Sequence, residues 1–137
     1  MPISENGLAR DVIIDERQPM GTGFVSTAFR VLTWCCIVIL AVLSLLPARA
    51  MVRTGLPGVV EHFVAYAGSA AIAMAGYGAS RGSIQVIGGF WVYAAILEYL
   101  QRFFPGRNPT IADFVGSAIG AMCGCLGIAL VLRRPSA

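Results

Sequence analysis

The chain contains no lysine and a single histidine, and only 12% of its residues are charged. An ordinary soluble domain has about 25% charged residues, and small domains leave much of their surface in water. With 57% hydrophobic residues, this chain has too few charged side chains to cover such a surface. The composition excludes a disordered chain and a disulfide scaffold, and it favours an integral membrane protein over a soluble enzyme.

The basic residues also lack the clustering that nucleic acid requires. Ten arginines and seven acids give a net charge of +3, and because the arginines are dispersed we expect no nucleic-acid partner. The sequence has no phosphate-binding loop, no GxSxG nucleophile motif and no HExxH zinc motif. Its four cysteines have neither CxxC spacing nor a histidine nearby, so no metal site and no cofactor are expected.

What the sequence does contain is four runs without a charged residue. Each run approaches the roughly 20 residues that cross a bilayer core. Backbone groups in lipid must be hydrogen-bonded within their own segment, so each run is predicted to be an α-helix. The predicted fold is therefore an all-α, four-helix transmembrane bundle. The runs are residues 31–46, 63–80, 82–97 and 114–132.

Polar segments flank the predicted bundle. Residues 1–27 contain six charged residues, two prolines and three glycines, a composition that predicts a flexible polar tail. This tail is too long and too acidic for a signal peptide, so the first run is expected to be a retained anchor. The membrane domain is predicted over residues 28–133, and residues 134–137 form a short C-terminal tail.

Arginine counts predict the orientation. An even number of helices places both termini and the turn at residues 79–83 on one side. That side holds six arginines against four on the other, and the positive-inside rule then places the N and C termini in the cytoplasm. The six are Arg10, Arg17, Arg30, Arg81, Arg133 and Arg134; the four are Arg49, Arg53, Arg102 and Arg107.

The same topology gathers polar residues at the opposite membrane face. The first and third helices end there, and the second and fourth begin there. An ionisable residue in a membrane helix is a functional candidate. We therefore predict a polar cluster at this face, which forms a ligand-binding pocket open to the extracytoplasmic side. Its predicted members are Arg49, Arg53, His62, Tyr66, Glu98, Gln101, Arg107 and Asp113.

Glu98 lies in the last turn of an apolar helix, where a carboxylate facing lipid would be costly. We expect it to point inwards, towards His62 or an arginine, with Arg107 as the preferred partner. Local interpretations stay open for each residue. Glu98 can form an i,i+4 ion pair with Arg102, Asp113 can act as a capping carboxylate, and His62 can be an interfacial side chain.

Gly116, Gly120 and Gly124 repeat every four residues in the fourth run. A stripe of small residues with this spacing lets two membrane helices approach closely. We predict that the stripe packs against another helix of the same chain. The alternative is a homo-oligomer in which these glycines contact a second copy.

The spacing of the polar residues resembles that of the VanZ-like family of small integral membrane proteins. The shared string covers about residues 30–132 and reads Glu61-His62-x-x-x-Tyr66, Glu98-x-x-Gln101-x-x-x-Pro105-x-Arg107 and Asp113. Ser117 stands where family members often carry Asn, and a hydroxyl replaces only part of the hydrogen bonding of an amide. The resemblance implies a multi-pass protein of the bacterial inner (cytoplasmic) membrane, with a link to resistance against the glycopeptide teicoplanin.

Three functions are compatible with these observations. The preferred one is binding of an anionic lipid or a lipid-linked cell-envelope intermediate through Arg49, Arg53 and Arg107, because guanidinium groups suit phosphate oxygens. The second is a membrane enzyme that acts on a lipid-linked substrate, with Glu98 and His62 as catalytic acid and base. The third is a structural or partner-binding bundle in which the polar residues fix the register of the helices. Whether the chain is an enzyme stays open.

Overall fold

The computed structural model describes residues 20–47 and 55–132, and these residues form helices and no strand. The predicted all-α fold with four membrane-length helices is confirmed. The second and third helices belong to one helical segment, Gly58–Gln101, that is interrupted at Gly82. The helices are α1 (Met20–Leu45), α2 (Gly58–Gly78), α3 (Arg81–Gln101) and α4 (Ile111–Leu132).

Gly82 breaks the helical path between α2 and α3. Its φ of 74° lies in the left-handed region, which glycine adopts because it has no Cβ to clash. The chain reverses here, since His62 on α2 lies beside Glu98 on α3, and the ring of Tyr66 meets the ring of Phe90. Later residues of α2 thus contact earlier residues of α3. The two helices form an antiparallel hairpin at the turn that the sequence predicts.

Helices α1 and α4 each pack against the α2–α3 hairpin, and in the described ranges their backbones do not meet each other. On the α1 side, the Tyr93 hydroxyl donates a hydrogen bond to the Ile37 carbonyl oxygen at 2.5 Å. On the α4 side, the Trp91 indole N–H donates to the Ala118 carbonyl oxygen at 3.0 Å. The hairpin is therefore the centre of the fold, and both bonds start from α3.

The glycine stripe of α4 lies against α2. A Cβ added to any of the three stripe glycines would collide with a backbone carbonyl oxygen of α2. The contacts advance by four residues on both helices, so α2 and α4 are parallel neighbours. The prediction that the stripe packs within the chain is confirmed, and a homo-oligomer would need another surface. The contacting pairs are Gly116 with Val59, Gly120 with Phe63, and Gly124 with Ala67.

Small side chains fill the contacts between helices, and many large apolar side chains point outwards. Ala70, Ala94 and Ala121 are at most 1% exposed, whereas Val38 and Leu130 are 59% and 67% exposed. Lipid tails are as apolar as leucine, so membrane helices gain stability from close packing of small residues rather than from hiding large ones. This distribution, and four helices long and apolar enough to cross a bilayer, indicate a multi-pass membrane protein.

Helix α1 begins earlier than the sequence indicates. The predicted boundary between tail and membrane domain is residue 28, but the helix begins at Met20. The hydroxyls of Ser26 and Thr27 donate to the Gly23 carbonyl oxygen, so these polar side chains are satisfied within the helix. Most of the predicted N-terminal tail (residues 1–19) lies outside the described residues. The predicted end of the membrane domain and the C-terminal tail (residues 133–137) also lie outside them, as do Arg49 and Arg53.

We expect the hairpin turn and the loop after α3 to lie on opposite sides of the membrane. In a chain whose four native cysteines are replaced by alanine, a single cysteine at Arg81 should react with an impermeant maleimide from one side. A single cysteine at Arg53 or Asn108 should react from the other side. Labelling of residues 81 and 108 from the same side would contradict four spans, and labelling of residue 81 from outside the cell would reverse the predicted orientation.

Candidate functional site

Three predicted site residues meet where α1 and α3 end and α2 and α4 begin. His62 lies near the start of α2, Glu98 in the last turn of α3 and Asp113 in the first turn of α4. One ring nitrogen and one oxygen from each carboxylate lie within 4.8 Å of one another. All three side chains are partly buried. We refer to His62, Glu98 and Asp113 as the carboxylate–histidine cluster.

Ser117 and Tyr66 hold the His62 ring in this cluster. The Ser117 hydroxyl donates to the Asp113 backbone carbonyl oxygen at 3.0 Å. Its oxygen also lies 3.2 Å from His62 Nδ1, and the tautomer of the imidazole decides which of the two atoms donates. One helical turn further along α2, the Tyr66 ring stacks on the imidazole with an interplanar angle of 16°. Ser117 therefore contacts the histidine directly.

The Glu98 carboxylate is buried at this end of the fold without a well-formed hydrogen bond. Its side chain is 12% exposed, and neither oxygen meets hydrogen-bond geometry with another described residue. His62 Nδ1 lies 4.0 Å from Glu98 Oε1. The Thr110 backbone amide attracts the Glu98 carboxylate electrostatically, but the two groups do not form a well-aligned hydrogen bond. Burying a charge without hydrogen bonds is costly. A further polar partner would therefore stabilise Glu98.

Asp113 lies in the first turn of α4, which Thr110 caps, and it also approaches the start of α2. Its backbone N–H donates to Thr110 Oγ1 at 3.1 Å, and the Thr110 hydroxyl donates to Asp113 Oδ2 at 2.8 Å. A Cβ added to Gly58 would lie 3.1 Å from Asp113 Oδ1, so glycine permits the close approach. Thr110 is therefore the residue that caps α4, and Oδ2 of Asp113 accepts a hydrogen bond from its hydroxyl. The other Asp113 oxygen lies near the positive end of α2, where a carboxylate is favourable.

Arg107 closes the end of α1 from the loop between α3 and α4. Its Nη2 donates to the carbonyl oxygens of Leu43 at 2.5 Å and Ser44 at 2.6 Å, which a helix end leaves without intrahelical partners. The sequence predicts Glu98 as the partner, but the guanidinium hydrogen-bonds α1, and Glu98 attracts it through space. Burial lowers the pKa of Arg107, and three nearby carboxylates oppose part of this shift.

Gln101 is the most buried polar residue at this end of α3. It is 4% exposed, and its amide nitrogen has no hydrogen-bond partner among the described residues. It lies one turn beyond Glu98, on the same buried stripe as Ala94 and Leu97. Two neighbouring polar side chains with unmet hydrogen bonds are unusual in a packed core. They set this end of the hairpin apart from an ordinary contact between apolar helices.

A groove of about 260 Å³ opens beside Glu98, between the end of α3 and the start of α4. Arg102 stands at its edge, with its guanidinium carbon 5.7 Å from the centre of the Tyr99 ring. Among the described residues, Glu98 is the one predicted binding residue that lines this groove, so a single pocket shared with His62, Gln101, Arg107 and Asp113 stays a prediction. The lining residues are Ala95, Glu98, Tyr99, Arg102, Pro109, Thr110, Ile111 and Phe114.

Sequence reasoning missed a second groove, of about 460 Å³, at the opposite end of the fold. It is lined by Arg30, Tyr77, Arg81 and Gln85. Arg30 Nε donates to the Gly76 carbonyl oxygen at 3.1 Å, and its guanidinium carbon lies 5.2 Å from the centre of the Tyr77 ring. The predicted topology already places Arg30 and Arg81 on one side. Two arginines predicted on the same side of the membrane were the sequence signal for this groove.

Comparison of the chain with protein-family profiles, with curated proteins and with solved structures found no match. The resemblance to VanZ-like membrane proteins stays a prediction, based on the spacing of the polar residues.

Proposed function

We propose that this chain is a VanZ-like membrane protein that binds the head group of an anionic lipid or of a lipid-linked envelope intermediate. The observation that carries the proposal is the groove beside Glu98. It combines a buried carboxylate, an arginine and an apolar wall in one opening. Ligand sites typically join a mostly apolar lining to a few polar groups that fix orientation. A molecule with a polar head and an acyl chain matches this division.

Each part of such a ligand has a counterpart in the groove. Arg102, at the edge, would contact a phosphate, because a guanidinium offers two parallel N–H donors to phosphate oxygens. Glu98 would accept hydrogen bonds from hydroxyl or amino groups of the head, and the aromatic and aliphatic wall would contact the chain. Arg49 and Arg53, from the segment before α2, are proposed to add phosphate contacts from the same end.

A second candidate function is catalysis. It is favoured by the 4.0 Å separation between His62 Nδ1 and Glu98 Oε1, because a histidine and a carboxylate this close can act as acid and base on one substrate. Binding is preferred because the groove is lined by Glu98 and not by His62. Formation of a new product from a lipid extract, lost in His62→Ala, would support the enzyme instead.

We expect an anionic lipid to co-purify with the wild-type chain and to be detected by mass spectrometry. In Arg102→Ala and in Glu98→Gln its amount should fall by about tenfold, the effect of losing one charge-assisted contact. Arg81→Ala is the matched control, because it removes an exposed arginine from the opposite end of α3. This variant should keep the lipid at the wild-type level.

Two results would contradict the proposal. Loss of the lipid in Arg81→Ala, together with retention in Arg102→Ala and Glu98→Gln, would place the binding site at the opposite groove. Equal lipid content in all variants would leave the polar residues with the structural role of fixing the helix register. In either case the abundance of each variant should be measured, so that loss of protein is not counted as loss of lipid.

A further inference from the structure

The carboxylate–histidine cluster has the composition and spacing of a metal site. Its three members come from three helices, and one donor atom of each lies within 4.8 Å of the others. Ligands about 2.1 Å from a common ion lie about 3 to 4 Å apart, depending on the geometry. A closure of about 1 to 2 Å between the most distant donor atoms would bring them to such positions. We infer that His62, Glu98 and Asp113 bind one divalent cation.

Burial distinguishes this cluster from a group of surface acids. The Glu98 side chain is 12% exposed, and in the part of the chain that the structure describes its oxygens have no well-formed hydrogen bond, although the Thr110 backbone amide attracts the carboxylate. A bound cation satisfies the buried carboxylate. Asp113 can join it through Oδ1, because the Thr110 hydroxyl bonds Oδ2.

The balance of charge around the cluster also favours a cation. Glu61, Glu98 and Asp113 all act electrostatically on Arg107, so three carboxylates surround one guanidinium. That guanidinium donates hydrogen bonds to backbone carbonyl oxygens at the end of α1. A divalent ion beside His62 neutralises the remaining negative charge without moving the guanidinium.

The set of donor atoms selects the class of ion. One imidazole nitrogen and two carboxylate oxygens suit Zn²⁺, Mn²⁺ or Fe²⁺, whereas Ca²⁺ and Mg²⁺ prefer sites made of oxygen alone. Three protein ligands leave coordination positions open for water or for a phosphate oxygen of a head group. Ion binding itself does not depend on the proposed lipid ligand, because all three side chains belong to this chain.

A titration with Mn²⁺ tests the site directly. The full chain is purified in detergent with a tag that contains no histidine, stripped with a chelator and titrated while electron paramagnetic resonance measures free Mn²⁺. Manganese is chosen because it binds thiolates weakly, so the four cysteines do not compete. We expect one ion per chain. Glu98→Gln, Asp113→Asn and His62→Ala should each weaken binding by about tenfold or more.

Glu61→Gln is the matched control, because it removes a carboxylate next to His62 that is outside the cluster. It should weaken Mn²⁺ binding by about threefold at most, through loss of long-range attraction. Absence of saturable binding by the wild type, or unchanged affinity in Glu98→Gln, would overturn the inference. An equal loss in Glu61→Gln would also overturn it. Glu98→Gln keeps the size of the side chain and removes a buried charge, so this variant decides the question even where another fails to fold.

Discussion

Replacing Gly120 with leucine is expected to separate α4 from α2 and to lower the free energy of unfolding by about 3 kcal/mol or more. A Cβ at this position already overlaps the Phe63 carbonyl oxygen, and a backbone atom cannot rotate out of the way as a side chain can. Leucine would therefore push the helices apart and open the contacts of the buried residues Ala121 and Cys125. Unfolding in detergent, followed by circular dichroism, measures the effect.

Gly127 provides the matched control on the same helix. A Cβ added there meets no heavy atom within 4 Å. Alanine at Gly116, Gly120 or Gly124 should destabilise the fold, whereas Gly127→Ala should be neutral or stabilising by up to about 1 kcal/mol, because alanine favours the helix. Equal stability of Gly120→Ala and Gly127→Ala would contradict the close contact between α2 and α4.

The stripe itself could be predicted from the sequence, but its partner could not. Glycines at intervals of four form a local pattern, because the period of the helix places residues four apart on one helix face. On the other side of the contact, Val59, Phe63 and Ala67 differ in size and offer backbone carbonyls to the glycines. No side-chain pattern marks them as a partner surface. Which helix packs against the stripe therefore depends on the arrangement of the whole α2–α3 hairpin.

The polar residues could be predicted at the level of helix ends. Ionisable residues are conspicuous in apolar runs, and an even number of spans brings alternate helix ends to one side. Sequence reasoning therefore identifies His62, Glu98 and Asp113 as candidates at one end of the fold. It does not give their separations, because those depend on how each helix is rotated about its axis. The rotation follows from the turn at Gly82 and the stripe contact. The metal site inferred above depends on the same rotations, which the residue types do not determine.

The partner of Arg107 shows a second limit of sequence reasoning. Electrostatics alone favours the nearest buried carboxylate, and Glu98 is close along the chain. The end of α1 competes, because its last carbonyl oxygens lack intrahelical partners. Gly106 has a φ of 77°, and this turn places the following arginine against α1. Competition between a helix end and a carboxylate depends on the path of the loop, which the residue types do not determine.

Arg107→Gln is expected to lower the free energy of unfolding by about 2 to 3 kcal/mol. The variant loses charge-assisted hydrogen bonds to two carbonyl oxygens at the end of α1, and bonds of this kind contribute about 1.5 to 3 kcal/mol. Arg107→Lys keeps the charge and a nitrogen donor, so its stability should be intermediate. Arg102→Gln is the matched control, because it removes an exposed guanidinium from the same loop and should change stability by less than about 1 kcal/mol.

A double-mutant cycle with Glu98→Gln separates the two partners of Arg107. The Arg107 guanidinium bonds α1 and attracts Glu98 through space, so the coupling energy should be about 0.5 to 1 kcal/mol. Most of the loss in Arg107→Gln should then persist when Glu98 is already replaced, because the α1 carbonyl oxygens still lose their donor. Glu98→Gln alone should be tolerated, since it neutralises a buried charge. A coupling energy as large as the whole effect of Arg107→Gln would make Glu98 the principal partner and would contradict the role at the end of α1.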